Sequence, residues 1–163
     1  MTDLDKVYCK MIDFYSGNPA YIQHFVKVHS FAALIGRLEG LDKETLETLE
    51  AAAYLHDIGI KPAEVKYGSG DGKYQEELGP DEAKILLKEC GYDGKIIERI
   101  AYLVGHHHTY DAIDGMDYQI LVEADFLVNL HEGGNSKDSV RHVYDSIFRT
   151  NTGRKLLTAM FGI

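Results

Sequence analysis

An adjacent histidine and aspartate, His56 and Asp57, end an apolar run that begins at Ala51. Neighbouring positions of a helix differ by about 100° around its axis, so both side chains can approach one point only near an inner face. Burying a carboxylate beside an imidazole is costly unless something charged holds the two together. Because neutral imidazole and ionised carboxylate both bind zinc, iron or manganese, the pair predicts part of a metal site, provided that other residues complete it.

Two more polar residues fall among apolar neighbours in predicted helices. His24 lies on one stripe with Val28, in a helix expected from about residue 19 to 39. Asp125 has apolar neighbours on both sides, in a helix expected from 118 to 131. Each has an ordinary alternative, namely a core histidine that donates to a carbonyl or an aspartate on a solvent-facing side. With the His-Asp pair, they place candidate ligands on three helices.

Three consecutive histidines, His106 to His108, follow a helix that is expected to begin near residue 94. Continuing the rotation of its apolar stripe puts His107 at the centre, His106 away from it and His108 at its edge. The alternative is surface decoration or a weak adventitious metal site. If the helix persists this far, His107 is the one inward candidate among the three.

The elements that must position these residues are all predicted to be helical. No alternating run is long enough for a strand, and apolar residues recur at helical spacing. The segment from Lys61 to Glu77 is predicted to be a long loop, either a lid or binding segment or a plain connection. The fold class is therefore expected to be all-α. The expected helices cover about 3–16, 19–39, 43–60, 79–91, 94–107, 118–131 and 138–148, with a short helix after Gly153.

The bulk properties indicate one domain, residues 1–163, that is large enough to bury its own core. A net charge of −9 argues against a nucleic-acid polymer as partner but is compatible with a small phosphorylated substrate bound through a metal. Cys9 and Cys90 lack CxxC spacing and are expected to be reduced, packed thiols. Neither a signal peptide nor a membrane span is evident, so we expect a cytoplasmic protein; homo-oligomer formation is left open.

The order His…His-Asp…Asp resembles the signature of the HD-domain superfamily of metal-dependent phosphohydrolases. The residues around the ligands are similar too: HFVKVHSFA begins at His24, AYLHDIG contains His56 and Asp57, and EADFL contains Asp125. The resemblance spans about residues 20 to 130. It implies a compact helical bundle in which these four residues bind a buried metal ion, and in which the His-Asp pair takes part in catalysis.

Members of this superfamily that bind two metals add histidines between the His-Asp pair and the last aspartate. By the resemblance, His107, or alternatively His106, would be one of these and would contact a second metal or the substrate. Another such histidine often stands just before a glycine. This chain has Leu78-Gly79 there, so that ligand is absent.

The lysine that usually follows His-Asp-Ile-Gly in this superfamily is displaced by one position. Ile60 stands in its place and Lys61 comes next. The resemblance therefore leaves Lys61, Lys66 and Lys73 as candidates for contact with a phosphate. All three lie in the segment that is predicted to be a loop.

The ligands define the chemistry that the resemblance implies. Two imidazoles and two carboxylates leave positions on a divalent ion (Mn, Fe, Co, Ni, Mg or Zn) open for a water and for a phosphoryl oxygen. Asp57, or one of Glu64, Glu76 and Glu77, would accept the proton of the water. The predicted reaction is hydrolysis of a small phosphate ester such as a nucleotide. A di-iron HD-type oxygenase and a non-catalytic ligand-binding module are the alternatives.

Overall fold

The computed structural model describes all 163 residues and contains nine α-helices and no strand, which confirms the all-α prediction. The helices are α1 (Asp3–Phe14), α2 (Pro19–Leu38), α3 (Lys43–Leu55), α4 (Ile60–Tyr67), α5 (Gly72–Cys90), α6 (Gly94–His106), α7 (Met116–Glu132), α8 (Lys137–Ser146) and α9 (Asn151–Phe161).

The helix ends follow local capping chemistry. The side chains of Asp42 and Asp93 accept hydrogen bonds from first-turn N–H groups of α3 and α6. Asn18 does the same for α2, whose first residue is Pro19. Gly91 follows α5 with a φ of 96°, in the left-handed region that favours glycine. These signals explain why sequence spacing located most helices to within a few residues.

The core is built around α2 and α7. Helix α2 packs on both α3 and α7, while α5 packs along α6. Phe25 and Val28 of α2, Leu49 of α3, and Tyr118 and Leu127 of α7 are all fully buried. Helix α7 is buried on most of its surface, as expected for a central helix. Polar side chains on α7 therefore need partners on neighbouring elements.

The prediction of a long loop from Lys61 to Glu77 is wrong. Helices α4 and α5 occupy this segment except for residues 68–71, and Pro80 lies inside α5 rather than at its start. The physical reason is tertiary packing, because α5 lies along α6 and the ring of Pro80 covers Gly105. Burial along α6 outweighs the local cost of glycines and of a proline that lacks an N–H.

The His-Asp pair lies in a turn and not within a helix as predicted. Helix α3 ends at Leu55, and residues 56–59 lead into α4. Tyr15, the residue after α1, anchors this turn, because its hydroxyl lies 3.0 Å from the main-chain oxygen of Asp57 and 3.4 Å from that of Ile58. A buried tyrosine thus fixes the backbone that presents the aspartate.

Gly59 allows α5 to pass directly against this turn. A Cβ atom at Gly59 would lie 2.5 Å from the main-chain oxygen of Gln75 and 2.8 Å from the main-chain nitrogen of Gly79, so no side chain fits there. The close approach brings the beginning of α5 next to the His-Asp turn.

Neither cysteine forms a disulfide: Cys9 is exposed and Cys90 is buried. The packed-thiol prediction therefore holds for Cys90 and is wrong for Cys9, because α1 turns that residue towards solvent. Among the nine helices, none combines the length and the apolar character that a bilayer crossing requires.

Candidate metal centre

The four predicted ligands meet inside the bundle. His24 comes from α2, His56 and Asp57 from the turn after α3, and Asp125 from α7, and each is at most 9% exposed. The Nε2 atoms of the two histidines are 3.1 Å apart. Three separate elements thus bring together the side chains that the sequence analysis selected.

The two carboxylates complete this first ligand group. Asp125 Oδ1 lies 3.3 Å from Nε2 of His24 and 3.4 Å from Nε2 of His56. Asp57 Oδ2 lies 3.5 Å from both nitrogens. A metal ion about 2.1 Å from its ligands separates adjacent ones by roughly 3.0 Å in an octahedron and roughly 3.4 Å in a tetrahedron. Each carboxylate oxygen therefore lies at ligand-shell spacing from the two histidine nitrogens. His24, His56 and Asp57 are close enough together to hold a metal ion, with Asp125 beside both histidines, and these residues fit a divalent ion.

The hydrogen bonds of the two Nδ1 atoms determine the protonation of the Nε2 atoms of His24 and His56. Nδ1 of His56 donates to the main-chain oxygen of Ala53 at 2.8 Å, and Nδ1 of His24 donates to Glu132 Oε2 at 2.9 Å. Because a carbonyl and an ionised carboxylate only accept, both Nδ1 atoms carry protons. In neutral rings the Nε2 lone pairs then face each other, an arrangement that requires a proton or a metal cation between them.

Two residues that sequence reasoning missed support these ligands from behind. Glu132, the last residue of α7, accepts from His24 and pairs with Lys27 Nζ at 2.7 Å. Asn129 Nδ2 donates to Asp125 Oδ1 at 2.8 Å. Asn129 follows Asp125 by one helical turn, so its spacing was an available signal. Glu132 had no such signal, because its partners come from another helix.

The charged groups of the site shift one another's protonation. Burial alone would lower the pKa of His24, but Asp125, Asp57 and Glu132 outweigh it and raise the pKa to about 9. Burial likewise opposes the two aspartates at His56, whose pKa is raised. Burial would raise the pKa of Asp125, yet its hydrogen bonds with both histidines hold it well below its usual range. The metal-free site thus attracts a proton, which a metal cation can replace.

A second ligand group shares Asp57. Its Oδ1 lies 2.9 Å from His107 Nε2 and 3.9 Å from His108 Nε2, on the side away from the first group's contacts with Oδ2. Nδ1 of His107 donates to the main-chain oxygen of Val104 at 2.9 Å, so Nε2 is the nitrogen aimed at the carboxylate. His107 is fully buried, as its stripe predicted. These three residues are close enough together to hold a metal ion.

His108 is a candidate ligand that sequence reasoning missed. The apolar stripe of the preceding helix put His108 at its edge. The partners of His108 come from α5: Gln75 Oε1 lies 3.2 Å from His108 Nε2, and Glu76 accepts the main-chain N–H of His108 at 2.9 Å. Burial and the neighbouring His107 lower the pKa of His108 to about 4, so its ring is neutral at pH 7. The run of three histidines was the available signal, but it did not identify these partners.

Two other predicted site residues have different partners. The ring of His106 stacks on Tyr102 with centroids 4.0 Å apart, and its Nδ1 lies 2.7 Å from the main-chain oxygen of that tyrosine. Lys61 Nζ donates to the main-chain oxygen of Phe14 at 2.8 Å. The structure does not bring either side chain into a hydrogen bond or ion pair with the ligand groups.

The other two lysines also bind local partners. Lys66 Nζ lies 3.3 Å from Glu77 Oε1. This ion pair also engages Glu77, one of the predicted proton acceptors. Lys73 Nζ lies over the ring of Tyr74, 4.7 Å from its centroid. A phosphate contact by either lysine stays a prediction that these contacts do not support.

Among the predicted proton acceptors, Asp57 alone belongs to both ligand groups. Glu76 accepts from the Thr109 hydroxyl at 3.2 Å and from the adjacent main chain. Glu64 accepts from the Tyr21 hydroxyl at 3.3 Å. The two glutamates are therefore held by neighbouring residues, whereas the carboxylate of Asp57 lies among the candidate ligands.

Comparisons with known proteins agree with this geometry. The family model described as HD domain matches residues 21–143, which is most of the chain. No curated protein sequence matches the chain. Among solved structures, the chain resembles a predicted HD superfamily hydrolase from an uncultured Thermotogales bacterium, at 25% identity and a TM-score of 0.71, over 99% of this chain and 86% of that one. The chain therefore belongs to the HD-domain superfamily of metal-dependent phosphohydrolases.

Proposed function

We propose that this chain is a metal-dependent phosphohydrolase that acts on a small phosphate ester, with nucleotides as the first candidates. The observation that carries the proposal is the pair of Nε2 atoms of His24 and His56, which face each other at 3.1 Å between the carboxylates of Asp57 and Asp125. A divalent ion (Mn, Fe, Co, Ni, Mg or Zn) is the proposed cofactor, since imidazole and carboxylate ligands suit this range of metals.

The residues have distinct parts in the proposed reaction. A bound divalent ion supplies Lewis acidity, which lowers the pKa of a coordinated water and polarises a phosphoryl oxygen. His24, His56 and Asp125 would hold the ion. Asp57 would also contact the ion, and its carboxylate would accept the proton of the attacking water.

The charge around the ligands favours a small substrate bound through the ion. No lysine or arginine forms an ion pair with Asp57 or Asp125, whose charged partners are histidines. The net charge of −9 is unfavourable for a nucleic-acid polymer. A single phosphorylated small molecule, by contrast, needs only the local charge of the metal. A cytoplasmic location and homo-oligomer formation stay predictions.

Metal content and phosphatase activity test the proposal together. Protein purified without an affinity tag or added metal should contain at least one divalent ion per chain and hydrolyse nucleotides or other small phosphate esters. Asp125→Asn should remain folded by circular dichroism but lose metal affinity and activity by more than about a hundredfold. His131→Ala is the matched control, because His131 is an exposed histidine of the same helix and should not affect either property.

Two results would favour the alternatives. Two tightly bound irons per chain with a mixed-valent EPR signal would indicate the di-iron oxygenase. A folded protein that binds none of the six metals after incubation would indicate the non-catalytic binding module and contradict the hydrolase. Hydrolysis that is equally fast in Asp125→Asn would place the activity outside this site.

A further inference from the structure

A cavity lies between α7 and α8, next to the metal centre. Helix α8 packs on α9 more than on α7, and the space that remains between α7 and α8 has a volume of about 490 Å³. This volume lies in the range of small-molecule sites. The polar and aromatic side chains that line the cavity are Phe126, Asn129, Asn135, Asp138, Ser139 and His142.

Asn129 connects this cavity to the metal centre. It lines the cavity, and its Nδ2 donates to Oδ1 of the candidate ligand Asp125 at 2.8 Å. Because an ionised carboxylate only accepts, the nitrogen of the amide is the atom that faces Asp125, and the amide oxygen remains available to a ligand. Asn129 is exposed whereas Asp125 is buried, so the cavity gives access from solvent to the side of the bundle that carries Asp125.

An aromatic wall stands at the same place. Phe126, the residue after Asp125, lines the cavity, and its ring packs against the ring of Tyr110 with centroids 5.3 Å apart. Burial, followed by the negative charges of Asp125, Glu76 and Asp57, raises the pKa of Tyr110 to about 12. The hydroxyl of Tyr110 is therefore neutral at pH 7. A phenyl ring held in this way offers a stacking surface to a flat ligand.

The charge of the cavity wall excludes some ligands. No lysine or arginine lines it, and its one carboxylate, Asp138, is paired with Arg141 at 3.1 Å. The remaining polar groups are amides, a hydroxyl and an imidazole, which can donate and accept hydrogen bonds. A second phosphate would find no cation in this wall. A neutral ligand with a flat ring and several hydrogen-bonding atoms fits it, and a nucleoside has this chemistry.

We propose that the cavity between α7 and α8 binds the nucleoside of a nucleoside monophosphate whose phosphate lies at the metal centre. This inference rests on the proposed function, and it names the group that the reaction releases. The base stacks on Phe126, while Asn129 and His142 form hydrogen bonds with the nucleoside. The oxygen of water bonds to phosphorus, the bond from phosphorus to the nucleoside oxygen breaks, and that oxygen takes up a proton. The products are inorganic phosphate and the free nucleoside.

Binding of free nucleosides to metal-free protein tests the cavity without catalysis. Calorimetry with adenosine, guanosine, cytidine and uridine should show binding of at least one of them to the wild-type protein. Ser139→Trp fills the cavity from an exposed position of α8 and should weaken this binding by about tenfold or more. Phe126→Leu removes the stacking surface and should weaken it by about tenfold. Asp145→Trp adds the same bulk to α8 outside the cavity and should bind nucleosides as wild type does.

Circular dichroism and kinetics complete the test. Both cavity variants should keep the helical spectrum of the wild-type protein. In the metal-loaded enzyme, Ser139→Trp should raise KM for the preferred nucleoside monophosphate. The preference for that substrate over ribose 5-phosphate, which has no base, should fall by about tenfold in kcat/KM.

The outcomes separate this inference from the proposed function. Wild-type protein that binds none of the four nucleosides, or nucleoside binding that is unchanged in both Ser139→Trp and Phe126→Leu, would overturn the nucleoside site and leave the hydrolytic centre unaffected. Nucleoside binding that is weakened in both variants of a protein that hydrolyses no phosphate ester would support the nucleoside site and count against the hydrolase.

Discussion

The imidazole of His24 and the carboxylate of Glu132 form a hydrogen-bonded pair, with Nδ1 2.9 Å from Oε2, behind the proposed metal site. Lys27 pairs with the other oxygen of the same carboxylate at 2.7 Å. A carboxylate in this place fixes the tautomer and the orientation of a metal-binding histidine and makes it a better ligand. Glu132 is therefore a positioning residue that acts through His24.

Replacing the positioning carboxylate should weaken metal binding. Glu132→Leu is expected to reduce the affinity of the first group by about ten- to a hundredfold, because His24 loses its acceptor. Equilibrium dialysis against a single metal would measure the change. Lys27→Met removes only the exposed ion pair and should change affinity by less than about fivefold. Equal losses in the two variants would show that the ion pair, and not the hydrogen bond to His24, is what matters.

The affinity for metal should rise with pH because of His24. Its pKa of about 9 in the absence of metal lies above its ordinary 6.5, so the ring is protonated at pH 7 and must release a proton when it binds an ion. Affinity should increase by up to about tenfold per pH unit and level off above pH 9. Calorimetry in buffers of different ionisation enthalpy would count the released protons. Binding at pH 7 without proton release would contradict the prediction.

The same raised pKa affects the stability of the metal-free fold. His24 contributes its full stabilisation below pH 6.5, where the ring is protonated in both the folded and the unfolded chain. This contribution is lost as pH rises towards 9, because the folded state then holds a proton that the unfolded state has released. Thermal unfolding in the presence of a chelator should show this decline, and His24→Gln should lack it.

Glu123 has a structural role, although it lies only two residues before Asp125. Its Oε1 accepts hydrogen bonds from Gln119 Nε2 at 2.7 Å and from the main-chain N–H groups of Arg149 and Thr150 at 2.6 and 2.9 Å. Glu123→Leu leaves these donors without an acceptor and should lower the free energy of unfolding by roughly 3 kcal/mol. Urea denaturation measures this loss. The metal affinity of the variant should match that of wild type, and a large decrease would assign Glu123 to the site.

The hydroxyl of Tyr15 links stability to the geometry of the site, because it donates to the main-chain oxygen of Asp57 at 3.0 Å. Tyr15→Phe should lower the free energy of unfolding by about 1 kcal/mol and weaken metal binding by roughly tenfold. Tyr92→Phe is the control, since the buried hydroxyl of Tyr92 has no hydrogen-bond partner. It should not reduce either property. If both variants bind metal as wild type does, the tyrosine anchors only the fold.

Apolar spacing predicted the helices, and the inward-facing histidines, that depend on one helix alone. The stripe through Val28 located α2 and turned His24 inward, and the stripe of α6 did the same for His107. The spacing of apolar residues did not predict the helices between residues 61 and 77, because the glycines and charged residues there indicate a loop. Packing of α5 along α6 favours a helix there, and the spacing within a single segment does not report on packing between segments.

The missed parts of the site depend on contacts between helices. Gln75 and Glu132 are polar residues near helix ends, and nothing in their local sequence distinguishes them from solvated side chains. Their importance comes from His108 and His24, which other elements place beside them. Sequence alone therefore selected buried candidate ligands, but not the neighbouring residues that form hydrogen bonds with them.

The two oxygens of Asp57 have consequences for cooperativity. Oδ2 lies 3.5 Å from His24 Nε2 in one ligand group, and Oδ1 lies 2.9 Å from His107 Nε2 in the other. A cation in either group would fix the charge and the rotamer of the carboxylate for the other. Binding at the two positions would then be linked, and each ion would change the affinity for its neighbour by the same factor. The concentration of the ion that binds one ligand group would therefore affect how much of the other group is occupied, because both groups use the carboxylate of Asp57.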